Sequence, residues 1–432
     1  MSAHTDQPIL SAKPESSLPD PTVDSDLSTT ENQTPEKSPV PPPPNGGLNA
    51  WLQVAAAFFL FFNSWGLVNT FGVFQTYYED TLLSTYSASS ISWIGTVQGF
   101  LLLLAGVIVG PAFDKGHLKS LVAIGLFLVV FGLMMTSFSR CCRWNRLCIS
   151  IPPFYSRRGD LLSSRRALAT GITAAGGSIG SVIYPIVFHK LIGPVGFGWT
   201  TRIIAFIALA GSTFSLAVMK QRLPPPQKAR SLIDLSAFKE LPFVLLCFAL
   251  FFSFTGLYFP FFYLPSFFSD SLHANSNISF YIISVLNASS VVGRITPGLI
   301  ADRVGSLNTV IPVNMIATIM AFAWMGIHNE AGAIVFACIY GFASGAIVSL
   351  PPTILLRLSP NLAIVGTRMG MVFTCAGLGL LIGNPIAGAL LNLEQAIFWK
   401  AQLFCAIMVV TGLFFFIWLR LLKWRHGEGW KF

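Results

Sequence analysis

One arginine in this chain, Arg294, stands well inside a long apolar stretch. A guanidinium stays charged and presents a planar fork of donors that matches a carboxylate, so its chemistry is anion recognition. An ionisable residue at membrane depth marks a functional site by default, because burying it unpaired is so costly. The competing reading sends the Arg294 side chain to the nearby cytoplasmic face, or pairs it with Asp302. Uncharged polar residues stand in similar apolar runs: Asn63, Asn69, Gln75, Gln98, Asn287, Asn314 and Asn384. Each is costly against lipid and must face the protein interior, where it lines a cavity or bonds a neighbouring helix. Asn69 and Asn287 are the candidate solute contacts among them, joined by Tyr258 and Tyr340. No nucleophile–base pair accompanies these residues, and the seven cysteines form no metal-ligand spacing. The pattern argues against an enzyme and calls for no cofactor and no metal.

Such residues need a membrane-spanning frame, and the composition supplies one. Of 432 residues, 53% are hydrophobic and only 10% charged, with 38 phenylalanines. Ordinary soluble proteins carry roughly 25% charged residues, so a soluble enzyme, a nucleic-acid binder and a disordered scaffold are all poor fits. The net charge of +9 is unevenly spread: residues 1–48 hold seven acids against Lys13 and Lys37, net −5, which leaves +14 on the remainder. A basic excess in a membrane body belongs in cytoplasmic loops rather than on a nucleic-acid surface.

A span needs about 20 mostly apolar residues. Eleven stretches qualify: 50–75, 91–112, 119–138, 166–189, 200–219, 242–265, 277–300, 308–327, 332–355, 366–391 and 398–420. Residues 1–48, rich in Pro, Ser and Thr, form a disordered tail. A helical half over 49–219 and another over 241–421 flank a basic loop at 220–240, and 422–432 ends the chain. Lys220, Arg222, Lys228, Arg230 and Lys239 fill that loop, whereas the opposite loops hold Glu79, Asp80, Asp270 and Glu330. The positive-inside rule therefore predicts a cytoplasmic loop, tail and C-terminus. Both ends inside requires an even number of spans, and eleven is odd. The missing one falls at 140–162, where the chain is irregular. Four arginines (Arg143, Arg146, Arg157 and Arg158) and Pro152-Pro153 interrupt it. Forcing them into a bilayer would cost on the order of 10 kcal/mol.

The two halves echo one another. Gly110-Pro111-Ala112-Phe113-Asp114-Lys115-Gly116 follows the second span, and Gly298-Leu299-Ile300-Ala301-Asp302-Arg303-Val304-Gly305 ends the second span of the later block. Repeated halves around a site at their interface are the architecture of secondary transporters. Asp114-Lys115-Gly116 and Asp302-Arg303-Val304-Gly305 resemble the loop motif of the major facilitator superfamily. Pro44-Asn45-Gly46-Gly47-Leu48-Asn49-Ala50-Trp51 resembles the entry to the first helix of its monocarboxylate porter family. Ser164-Arg165-Arg166-Ala167-Leu168-Ala169-Thr170-Gly171 resembles the entry to that family's fifth helix. Asn63-Ser64-Trp65-Gly66 and Ser92-Trp93-Ile94-Gly95 are similar to its fungal branch. The likeness covers about 44–139 and 163–425.

The resemblance implies an all-α membrane protein with a facilitator fold of two six-helix halves, here with about eleven clear transmembrane helices and a degraded fourth. It implies a transporter of a small organic molecule, such as a monocarboxylate or a secondary metabolite, working by alternating access. Arg294 falls where the family places an arginine that meets a substrate carboxylate. Asp114, Lys115, Asp302, Arg303, Arg165 and Arg166 take the gating-motif positions. Two departures stand against proton-coupled monocarboxylate transport: Asn69 where the animal carriers have Lys, and Ser290 where they have Asp. The break at 140–162 reads as a shifted reading frame or misplaced exon boundary, with a genuine eleven-span variant as the alternative; such a form would be impaired or inactive. A non-transporting nutrient sensor is the other functional class. Asn277-Ile278-Ser279 is a glycosylation sequon near an outer helix end. The expected partners are a small organic solute and the lipid bilayer, with no nucleic acid. The expected location is the plasma membrane, with the vacuolar or another internal membrane as the alternative.

Overall fold

The computed structural model describes residues 47–114, 117–138, 166–220, 232–274, 276–359, 364–392, 395 and 397–425. Nearly all of the expected tail, the irregular segment 140–162, Lys115 and Arg165 lie outside these residues. So do the side chains of Asp114, Arg166 and Asn277. What is described is helical, apart from turns and one isolated bridge between Asn392 and Ile397.

The helices are α1 (Leu48–Tyr77), α2 (Ala88–Asp114), α3 (Leu118–Ser137), α4 (Arg166–Val218), α5 (Leu241–Leu257), α6 (Phe259–Ser266), α7 (Ser276–Val304), α8 (Ser306–Ala323), α9 (Glu330–Ser349), α10 (Pro351–Leu358), α11 (Val365–Leu390) and α12 (Trp399–Arg425). Helix α1 runs on into a π-helical turn, Tyr78–Leu82, and α6 into another, Phe267–Ser271. Among the described residues, ten continuous stretches are long and apolar enough to cross a membrane. One of them, Gly171–Val218, has 48 residues. Straight, it would reach about 72 Å, more than twice the ~30 Å of a bilayer core.

It does not run straight. Gly196 takes φ 72° and ψ 172°, a conformation open to glycine and strained for other residues, and breaks the helix into two limbs. Both limbs lie along α1. Tyr184 in the first limb and Ser212 in the second each bond Asn63. Towards the far end of the second limb, Ser215 bonds the Ala56 carbonyl and Gln53 bonds that of Val218. The first limb runs parallel to α1 and the second antiparallel, so among the described residues the ten apolar stretches hold eleven limbs long enough to span, the number the sequence predicts.

Packing follows membrane rules. Lipid is as apolar as a leucine side chain, so helices associate through close backbone approach at small residues and through polar bonds. Gly176 and Gly180 of α4 show this: a β-carbon at Gly180 would strike the Phe62 carbonyl and sit 3.1 Å from the Gly66 Cα. The later half repeats the device where Gly293 of α7 abuts the backbone of α9 at Phe342. The glycine run 176–180 therefore serves as a helix contact. Phenylalanines such as Phe127, Phe131 and Phe414 face outward.

A long seam joins the two sets of helices. Helix α2 lies along α11, with Ser89 Oγ donating to the Pro385 carbonyl at 2.8 Å and Val107 against Gly370. The first limb of α4 lies along α7, where His189 stacks on Phe280 with ring centroids 4.4 Å apart. Helix α6 leans on α1. One end of the seam carries Glu79 and Asp270, and the other carries Lys220, Lys239, Arg303 and Arg425. These are the acidic and basic ends below.

Candidate functional site

Arg294 sits mid-seam and is 5% exposed. Its Nη1 donates to the Ala174 carbonyl of α4 at 3.1 Å, and its Nε points at Ser290 Oγ at 3.4 Å. Ser290 meets Ser178 of α4 at 3.2 Å. Gly177 makes room for the guanidinium, since a β-carbon there would lie 3.2 Å from Nη1. Neither competing reading of Arg294 holds: the side chain is buried rather than extended to the basic end, and Asp302 is exposed about two turns further along α7. Among the described residues no carboxylate pairs with Arg294. Buried cations normally have such a partner, because uncompensated desolvation is expensive.

Residues 283, 287, 290 and 294 fall on one face of α7, following helical periodicity. That face brings Asn287 to α1, where Asn69 Nδ2 donates to Asn287 Oδ1 at 3.4 Å. Asn287 in turn donates to its own Ile283 carbonyl at 2.9 Å. The Asn69 Oδ1 atom is buried and has no protein partner. One turn before Asn69, Trp65 stacks on Tyr258 across the seam, with centroids 6.4 Å apart and planes 18° from parallel. Tyr258 lies within electrostatic range of Arg294 and of Tyr340. Tyr340 donates to the Leu257 carbonyl at 3.0 Å and stacks on Phe336.

The five expected solute contacts, Arg294, Asn69, Asn287, Tyr258 and Tyr340, thus share one buried, seam-centred neighbourhood. Trp65, Ser178 and Ser290 complete it. Trp65 escaped sequence reasoning because an aromatic residue in an apolar run looks like packing; its helical spacing from Asn69 was the available signal. The other amides separate by role. Asn63 accepts from Tyr184 at 2.7 Å and donates to Ser212 at 2.8 Å, and Asn314 donates to Ser253 at 3.1 Å. These fasten helices within one half. Asn384 of α11 is buried with neither polar atom partnered.

Two further charged groups behave differently from loop charges. Arg368 at the start of α11 is 1% exposed. It grips Glu240 through Nη1 at 2.7 Å and Nη2 at 2.6 Å, and Asp234 through Nε at 2.9 Å. Glu79 belongs to the π-turn that ends α1, and it accepts from Gln75 Nε2 at 2.9 Å and from Ser266 Oγ across the seam at 3.2 Å. The motif residues Asp302 and Arg303 are exposed where α7 ends at Gly305.

A multi-pass helical bundle with a buried polar centre between two halves is the architecture of a membrane transporter. The chain belongs to the Major Facilitator Superfamily, whose model matches residues 54–363. It is 42% identical over 366 residues to the MFS-type transporter dbaD of Emericella nidulans, covering 81% of this chain and 80% of that protein. It is 38% identical over 392 residues to the aspyridones efflux protein apdF of the same organism, covering 88% and 79%. The MFS transporter asaE of Aspergillus flavus is 36% identical over 404 residues, covering 89% and 91%. The nucleoside transporter NupG, as its D323A mutant, has the same fold with a TM-score of 0.65 at 19% identity, covering 86% of this chain and 99% of that one.

Proposed function

We propose that this transporter exports a small organic anion, with Arg294 receiving the anionic group and Asn69, Asn287, Tyr258 and Tyr340 forming the surrounding contacts. The observation that carries the reading is a buried guanidinium without a carboxylate partner, in a polar neighbourhood made jointly by both halves. A solute anion would supply the missing counter-charge, and a planar fork favours carboxylates, enolates and similar oxyanions. Aromatic walls from Trp65 and Tyr258 suit a substrate with a flat organic body. Export is favoured over import because apdF carries the name of an efflux protein, and a secondary metabolite is then the natural cargo class.

The finer assignments follow from the same reading. The halves 49–219 and 241–421 rock about the seam, exposing the site to one side at a time. The motif residues Asp114, Lys115, Asp302, Arg303, Arg165 and Arg166 act at the basic end, which faces the cytoplasm by the positive-inside rule. The acidic end faces outward, and Asn277 is its glycosylation site. The plasma membrane is the working location, and the entry motifs at Pro44–Trp51 and Ser164–Gly171 favour the monocarboxylate porter branch. The test is efflux from a transporter-deficient yeast expressing the protein and loaded with labelled aromatic and aliphatic organic acids. Efflux of at least one anion that Arg294→Gln abolishes supports the reading; a panel handled identically with and without the protein sinks it.

A further inference from the structure

Asn384 of α11 is 1% exposed, and neither its Nδ2 nor its Oδ1 has a partner. Among the buried amides of the described residues it alone lacks a partner on both atoms. Burying an amide without a hydrogen bond is expensive. The amides that fasten helices here avoid that cost: Asn63 bonds Tyr184 and Ser212, and Asn314 bonds Ser253.

The place of Asn384 shows where a partner would come from. Leu380 and Gly388 stand one turn either side of it on α11, and both meet the earlier half. A β-carbon at Gly99 of α2 would strike Leu380 and lie 3.6 Å from Val68 of α1. One at Gly388 would strike the Tyr263 hydroxyl and lie 3.0 Å from the Ser89 Cα. Residues four apart share a helix face, so Asn384 looks into the seam among α1, α2 and α6. The hydroxyls flanking it are engaged elsewhere: Ser89 donates to the Pro385 carbonyl, and Tyr263 to that of Ala88. Pro385 has no N–H, so the Leu381 carbonyl also loses its usual donor within the helix.

Helix α1 serves as a ruler between this amide and the anion-binding centre. A β-carbon at Gly177 would lie 2.8 Å from Trp65 Cβ and 3.2 Å from Arg294 Nη1, so Arg294 stands at the level of Trp65. Val68 is one turn nearer the acidic end, at the level of Leu380. Asn384 is a further turn along α11, which runs the same way as α1. By the rise of a helix, the guanidinium and the amide are about 10 Å apart along the seam. Arg294 lies on the α4–α7 flank and Asn384 on the α2–α11 flank.

A free donor beside a free acceptor has a definite complement. It is another amide edge, whose carbonyl accepts from Nδ2 while its N–H donates to Oδ1. Primary amides and lactams present both groups on one side. On the anion-export reading above, we propose that Asn384 is a second cargo contact, which binds a primary amide or lactam at the end of the solute remote from its anionic group. The cargo class narrows to elongated organic acids with an amide edge. When the halves part on one side, the cargo enters and supplies both missing bonds. Arg294 and Asn384 both belong to the later half, so a two-point hold survives the rocking that alters the seam. A site with polar atoms set for a partner penalises an analogue that lacks it.

The test uses two rigid probes of equal shape, 4-carbamoylcinnamate and 4-isopropenylcinnamate, the second with a hydrocarbon in place of the amide. Binding to the full-length protein in nanodiscs is measured by calorimetry, beside a thermal melt of each variant. The wild type should bind the carbamoyl probe about 10-fold tighter than the isopropenyl one. Asn384→Leu should bring the ratio to about one by weakening the carbamoyl probe alone, without lowering Tm. Asn384→Ala should do the same and serves if leucine does not fit. Arg294→Gln should weaken both probes and keep their ratio. A ratio near one in the wild type overturns the proposal. So does a ratio that survives both Asn384 changes, or a loss of both probes together in those variants, which marks a structural amide. If the wild type binds neither probe, the proposal falls and the anion reading rests on the efflux panel. If Arg294→Gln leaves both probes bound while Asn384→Leu removes the preference, the anion reading fails and the amide contact stands.

Discussion

Asn69 and Asn287 stand 218 positions apart in the chain and meet at 3.4 Å across the seam, one from each half. The bond is long for an amide pair, and Asn69 Oδ1 is left without a protein partner. A solute group that donates to Asn69 would complete it. Breaking this pair should therefore change both the seam and the solute contact. Asn69→Ala and Asn287→Ala are each expected to raise the KM for efflux several-fold. A double-mutant cycle should show a coupling of about 0.5–1.5 kcal/mol between them. Strict additivity would show that the two amides act separately.

Arg294 gives the sharpest chemical contrast. Arg294→Lys keeps the charge and loses the fork, so efflux should fall about 10-fold or more, in line with the ~1.5–3 kcal/mol of a charged hydrogen bond. Arg294→Gln should lower it further. Arg294→Gln should not reduce thermal stability much, because the arginine is an uncompensated buried charge and its removal relieves desolvation, whereas Arg294→Lys keeps a buried charge with fewer hydrogen bonds and should melt lower. Thermal melts alongside transport rates check both halves of this expectation. A large loss of Tm in Arg294→Gln would make the residue a structural one.

At the basic end, Arg368 locks the start of α5 to α11 through Glu240 and Asp234. Arg368→Ala should destabilise by about 1–3 kcal/mol, less than for a fully buried pair because both acids are partly exposed. The Asp234 carboxyl is held below the usual carboxylate range, first by the hydrogen bond from Ser236 and further by Arg368, with burial opposing them. Its contribution is therefore present above the unfolded value of about 3.9 and is lost as pH falls through the lower folded value. Melting curves should show wild type and Asp234→Asn converging only in strong acid, with the variant less stable at neutral pH.

The sequence over 140–165 carries its own prediction. Transcripts read across codons 135–170 should yield a form in which an apolar stretch of about 20 residues replaces the run containing Arg143, Arg146, Arg157 and Arg158. That form should transport at least 10-fold faster than the present chain when both reach the membrane equally. Equal transport by the two forms, or transcripts encoding only the present segment, would leave a true eleven-span protein.

Much of this protein was legible in its residues. Long apolar runs dictate spans because an unsatisfied backbone cannot sit in lipid, and the gap between 189 and 200 marked the turn that Gly196 makes. Arg294 announced itself because a charge at that depth needs a reason. The sequence could not say how each helix is rotated. Rotation decides that Asn69 meets Asn287 whereas Asn63 turns to Tyr184 and Ser212, although both asparagines sit in one helix six positions apart. Nor could it separate loop charges from bridging ones. Arg368 and Glu79 both read as charges near membrane edges, and only the packing of α11 on α5 and of α1 on α6 makes one a buried clamp and the other a seam contact. The physical reason is range. Hydrophobicity is a property of a segment and survives in one dimension, whereas a hydrogen bond between halves depends on ångström-scale positions that only the assembled bundle defines.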